Sequence, residues 1–159
     1  MKYIQTLILV LSITFGFSNL SVAQNLSSYS ENLNKACDFY MNEKKIPKSI
    51  LLNLVPKNYD EFEKYYETTY ADIELAKTDF FYETTEKIFN EVIENNNEDF
   101  YLPSLKLASF ADGEYAEGFI EKLELIIKMD EKKFCKSIKD KDYANLNPIE
   151  YYAKLHNCE

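Results

Sequence analysis

Apolar residues recur along this chain at intervals of three and four, which is the period of a helix buried on one face. The clearest stretch runs from Glu114 to Met129, where Ala116, Phe119, Ile120, Leu123, Ile126 and Ile127 share one side. A second, Asp79 to Glu94, places Phe81, Thr85, Ile88, Phe89 and Val92 together and ends at the polar turn Asn95-Asn96-Asn97. Upstream, Ser30 to Lys44 carries a stripe of Leu33, Ala36, Cys37, Tyr40 and Met41 behind a loose polar lead-in at residues 24–28. A short helix at 47–54 with Ile50, Leu51 and Leu54 inward is stopped by Pro56. Asn58, with Glu61 three residues on, forms a capping-box pair for a helix from Tyr59 to Tyr70.

The second half continues the pattern. Leu102 to Phe110 reads as a helix with Pro103 in its first turn, where proline is tolerated. Asp112-Gly113 makes a tight turn. Asp130 caps a short helix carrying Phe134, Cys135 and Ile138, and a polar loop at 139–146 follows. Asn147-Pro148-Ile149-Glu150 then reads as cap, first helical residue and box partner of a last helix burying Ile149, Tyr152 and Leu155. No alternating apolar-polar runs flank an Asn-Gly turn, and no fixed-length repeat is visible. The expected fold is all-α: a compact bundle of about seven short helices packed as helical hairpins.

The first residues follow a different logic. One charge at Lys2, a mainly apolar run from Leu7 to Phe17, and the small residues Ser21-Val22-Ala23 before Gln24 have the order of a secretory signal. The apolar run is shorter than the ~20 residues of a spanning helix. The expected division is a signal peptide at residues 1–23 and one helical domain at 24–159, periplasmic or secreted, with no membrane insertion after cleavage. That length suits a single domain, and 46% hydrophobic and 15% aromatic residues favour a packed core over disorder.

Charge narrows the partners. The chain has 27 acidic residues against 18 basic ones, a formal charge of −9, and every base is lysine. Arginine is the residue of bidentate phosphate and base-edge contacts. An acidic chain without it is poorly suited to nucleic acid; a basic protein partner is electrostatically possible, and negative charge that only keeps the protein soluble is the plainer reading. Cys37, Cys135 and Cys158 allow one internal bridge in an oxidising compartment. Cys135–Cys158, on adjacent expected helices, is the favoured pair, and Cys37–Cys158 the next.

Candidate chemistry is sparse. His156 is the sole histidine, and zinc would require it together with Cys158, Cys135 and a carboxylate. Residues 156 and 158 leave a helix on different sides, and oxidation consumes the thiols, so no metal or other cofactor is expected. A Cys135–His156 nucleophile pair has no recognisable oxyanion hole. Neither a Gly-x-Ser-x-Gly elbow nor a glycine-rich phosphate loop occurs. Asp140-Lys141-Asp142 lacks the glycine and terminal glutamate of a calcium loop. Asp112, Glu114 and Glu117 could form a glycosidase-like carboxylate pair, although acids at a helix start are favoured by the dipole alone.

The run Tyr59, Phe62, Tyr65, Tyr66 and Tyr70 is the most distinctive feature. On a helix, Tyr59, Phe62 and Tyr66 share a face, which leaves Tyr65 outward beside Asp60, Glu61 and Glu67. Tyr65, Glu67 and Tyr70 are therefore the candidate contacts for a cationic protein partner; ordinary core packing with a wet rim is the plainer alternative.

The stretch Phe110-Ala-Asp-Gly-Glu-Tyr-Ala-Glu-Gly-Phe, followed by Leu123 and Phe134-Cys135, resembles a group of small exported helical proteins of Gram-negative bacteria. These share an Asp-Gly-x-x-x-Glu turn opening an amphipathic helix, with a downstream cysteine. Type VI secretion amidase immunity proteins, which are periplasmic, helical and of similar size, neutralise cell-wall-degrading toxins. The resemblance implies a non-enzymatic exported binding protein, an inhibitor or immunity factor, and carries no functional residue across. A hydrolase using the carboxylates at 112–117, or a structural or stress-related envelope protein, is the alternative.

Overall fold

The computed structural model describes residues 26–158. Eight α-helices and no strand are found among them: α1 (26–41), α2 (Lys48–Leu52), α3 (Tyr59–Ala71), α4 (Phe80–Ile93), α5 (Tyr101–Ala108), α6 (Ala116–Met129), α7 (Glu131–Ile138) and α8 (Ile149–Leu155). Single 3₁₀ turns at Leu75–Lys77, Glu98–Phe100 and Gly113–Tyr115 lead into or between them. The expected signal peptide lies outside the described residues. No described helix is long and apolar enough to cross a membrane.

Helices adjacent in sequence pack on one another from α3 through α7, and α4 also touches α2 and α6. The central position of α4 follows from its composition. It buries Phe81, Thr85, Ile88, Phe89 and Val92 on the expected face and Phe80 with Thr84 on a second one. A helix apolar on two sides needs neighbours on both. By contrast, α6 buries a single stripe, Phe119, Leu123, Ile126 and Ile127, against α4 and α5.

Caps were largely set by local sequence. The Asn58 side chain accepts the Glu61 N–H at 2.9 Å, and the Glu61 carboxylate reaches back to the Lys57 N–H at 2.8 Å. That is one residue beyond the usual box partner. Asp130 accepts the Lys133 N–H at 2.9 Å and opens α7.

Both ends of the domain differ from expectation. The polar lead-in is already helical from residue 26, and Ser30 lies inside the helix, its hydroxyl donating back to the Leu26 carbonyl at 2.7 Å. At α8, Pro148 occupies the cap position and no side chain caps the helix; Glu150 pairs with Lys154 at 2.8 Å. Leu155 is 57% exposed. It lies about 90° off the face of Ile149 and Tyr152, where His156 sits instead, half-buried and stacked on Tyr152.

Cys135 of α7 and Cys158, just after α8, are bridged with Cα atoms 4.9 Å apart. The bridge joins residues 23 positions apart, for which chain entropy gives about 3 kcal/mol of stabilisation. Reduction, or a Cys135→Ser/Cys158→Ser double variant, is expected to lower the thermal midpoint by roughly 10 °C. Calorimetry with and without reductant measures this; a midpoint unmoved by reduction would show that the bridge constrains nothing. Cys37 remains a free thiol, half-buried in α1. Burial, then the Asp38 charge, pushes it up to about 12, so it carries little thiolate at neutral pH.

Candidate functional site

The aromatic helix α3 is rotated by one residue from the expected arrangement. Phe62, Tyr65 and Thr69 face the core at helical spacing, and Tyr65 is 0% exposed. Its hydroxyl explains the choice. It shares hydrogen bonds with Thr84 Oγ1 at 2.6 Å and Thr85 Oγ1 at 3.1 Å, both from α4, so a polar atom is satisfied inside the bundle. Tyr65 therefore cannot touch a partner. Of the three expected contacts, only Glu67 and Tyr70 are on the surface, Tyr70 at 58% exposure.

The rotation brings Tyr66 to the edge of the bundle, where it meets residues from two other segments. Its hydroxyl donates to the Glu114 carboxylate. The Tyr82 hydroxyl, at the start of α4, lies 3.5 Å from the same oxygen. The Tyr66 ring contacts those of Tyr70 (5.5 Å between centroids) and Tyr115 (5.3 Å). Below them lies a floor of buried rings. Phe81 packs against Tyr66, Tyr82 and Tyr115 at 5.2 to 5.7 Å, and Tyr115 also covers Phe62 and Phe119.

Glu114 is presented by the turn before α6. Gly113 has φ +61°, a left-handed conformation that glycine adopts without strain. The Asp112 carboxylate accepts the Gly113 N–H at 2.8 Å. This fixes the turn and aims Glu114 across to α3. The result is a surface face in which exposed Tyr70 and Tyr82 and half-buried Tyr66 and Tyr115 lie around one carboxylate.

Its electrostatics follow from that geometry. The bond to Glu114, followed by one to Tyr70, raises the Tyr66 phenol above its ordinary range. Burial first, and then the Glu114 charge, raise Tyr82. Burial, with the charges of Asp112 and Glu114 behind it, pushes Tyr115 up to about 12. Tyr66, Tyr82 and Tyr115 therefore stay protonated at neutral pH, so the carboxylate supplies the charge and the rings supply quadrupole faces. That combination attracts a cation.

The sequence placed Asp112, Glu114 and Glu117 together as carboxylates, and two of them are engaged in holding structure. Asp112 holds its turn, and Glu114 accepts from tyrosine. Four formed clefts, of about 320 to 530 Å³, lie elsewhere, and none takes these three residues into its lining. His156 pairs with Glu131 through Nδ1 at 3.0 Å, and Cys135 and Cys158 are consumed by the bridge. Among the described residues no three candidate ligands converge on a metal site.

Tyr82, Tyr115 and the pairing of Tyr66 with Glu114 were missed by sequence reasoning. One signal was present: with Phe80 and Phe81 both inward, the next residue of α4 must leave the core. No protein-family model matches the chain, and no curated protein or solved structure is detectably similar to it.

Proposed function

We propose that this chain is an exported, non-enzymatic binding protein that docks a basic protein partner on the Tyr66–Tyr70–Tyr82–Tyr115 face. In this reading it acts as an inhibitor or immunity factor for an envelope-acting enzyme. The observation that carries the reading is that Tyr66 and Tyr82, from two helices, share the Glu114 carboxylate while the rings of Tyr70 and Tyr115 flank Tyr66. Tyrosine supplies large contact area with few torsions to freeze, and it is enriched where interfaces concentrate their energy. A formal charge of −9 steers a basic partner toward the protein. The signal-like order of residues 1–23 and the Cys135–Cys158 bridge support export.

Glu114→Lys is expected to weaken partner capture by at least about 30-fold, the size of a reversed charge at a desolvated centre, with the thermal midpoint almost unchanged. Tyr70→Ala should weaken it by roughly tenfold. Native capture from an envelope extract, followed by titration of the isolated partner against both variants, measures this. Retention of full affinity by Glu114→Lys, or a partner with an acidic contact surface, would sink the assignment.

A further inference from the structure

A second surface has the opposite electrostatic character and shares no residue with the tyrosine face. Three separate segments meet there: the α2–α3 connection, the exposed side of α5, and the loop between α7 and α8. They border a shallow, open slot of about 360 Å³, near the lower end of the ~300–1,000 Å³ typical of small-molecule sites. Its floor is apolar, made by Leu52, Val55, Leu102, Pro103 and the ring of Tyr143. Leu102 is 40% exposed there.

Lysines from all three segments stand around that floor: Lys57, Lys106 and Lys141. Lys106 is held in place. Its ammonium sits 5.2 Å from the Tyr143 ring centre and 5.4 Å from that of Phe110, and its side chain is only 16% exposed. Its single carboxylate partner, Asp142 at 3.1 Å, is itself mostly in solvent. No described carboxylate pairs with the side chains of Lys57 or Lys141. On a chain with an excess of acids, three lysines thus line an apolar surface together with one exposed acid, Asp142. The Tyr143 hydroxyl, from the same lining, is buried without a hydrogen-bond partner among the described residues.

We propose that this slot binds a small amphipathic carboxylate, a medium-chain aliphatic acid, with its chain on Leu52, Val55, Leu102 and Pro103 and its carboxylate between Lys57, Lys106 and Lys141. The two requirements are separable. Apolar area supplies most of the affinity, and the lysines select the charged head over a neutral one. Asp142, being exposed, is the group that the ligand's carboxylate displaces from Lys106.

The test is calorimetric titration of the purified, oxidised protein with decanoate, decanol and decyltrimethylammonium, each below its aggregation concentration. Saturable one-site binding of decanoate is expected, at least about tenfold tighter than decanol, with the cationic amphiphile weaker still. Lys57→Glu/Lys141→Glu alters exposed and half-exposed side chains and is expected to keep the thermal midpoint. It should weaken decanoate about tenfold and leave decanol unchanged. Leu102→Asp should remove binding of both. The proposal is overturned if decanoate shows no saturable binding, if decanol binds equally well, or if the double charge reversal leaves decanoate affinity intact. None of these outcomes bears on the tyrosine face, whose partner is read out separately with Glu114→Lys.

Discussion

Phe81→Ala is expected to destabilise the protein by about 4 kcal/mol, the cost of deleting a fully enclosed aromatic ring and leaving a cavity. Phe81 is 1% exposed. Its ring lies 4.9 Å from that of Tyr65, 6.1 Å from Phe62 and 6.2 Å from Phe119, besides the rings of Tyr66, Tyr82 and Tyr115 that rest on it. Aromatic pairs add ~0.5–1.5 kcal/mol each beyond area burial, so the loss is not confined to one contact. Against a total stability of roughly 5–15 kcal/mol for a domain, the variant should populate unfolded chain measurably on mild heating. Urea unfolding gives the comparison: the midpoint should fall sharply with little change in slope. Tyr82→Ala, one position along and exposed, should cost less than about 1 kcal/mol. If the two losses were equal, the aromatic floor would not be the core of the bundle. The same variant connects stability to recognition, because Phe81 is the surface on which Tyr66, Tyr82 and Tyr115 rest.

The period of the apolar residues made most of this bundle legible. In α6, Phe119, Leu123, Ile126 and Ile127 lie three or four apart and are buried where that spacing puts them. The same logic located α4 and brought Cys135 and Cys158 to adjacent helices. It failed in α3 for a physical reason. The helix holds five aromatics, more than one face can bury, and hydropathy cannot say which tyrosine hydroxyl will find a partner. That was settled by Thr84 and Thr85 on α4, 19 and 20 residues from Tyr65. The cap at Asn147 failed because the box pattern is a local rule, whereas in the structure Pro148 occupies the cap position itself.

The tyrosine face was less legible than the fold. Its halves are visible in the sequence only separately, as an aromatic run and as a carboxylate cluster. Glu114 is 48 residues from Tyr66 and 32 from Tyr82, and no helical or turn period spans such distances. Only the packing of α3 on α4 and of α4 on α6 brings the pieces together. Once they are joined, the carboxylate changes meaning. A glutamate in a cluster of acids reads as a candidate general acid, while a glutamate accepting from two phenols on an open face reads as the polar centre of a contact surface.

Alkaline pH is expected to unfold the protein cooperatively, and the sign follows from the same buried phenols. Burial pushes Tyr65 up to about 12, with hydrogen bonds from Thr84 and Thr85 offsetting part of the rise; unfolded, it titrates at about 10. A folded-state value above the unfolded one means the stabilisation is complete below pH ~10 and is lost as the pH climbs through ~12, because the unfolded chain releases its proton first. For Tyr65 alone this amounts to about 3 kcal/mol. Burial likewise raises Tyr143 and Tyr152 to about 12, and Tyr29, whose hydroxyl donates to the Leu54 carbonyl at 2.7 Å, rises further. Their losses act in the same window. The share of phenolate absorbance that comes from the buried tyrosines should therefore appear in one steep step together with the loss of helical circular dichroism. Tyr65→Phe removes one proton from the linkage, so the midpoint's dependence on pH between ~10 and ~12 should become shallower by one group. A phenolate signal that reached its full amplitude, all 13 tyrosines, with helicity intact would show instead that these hydroxyls reach solvent without unfolding.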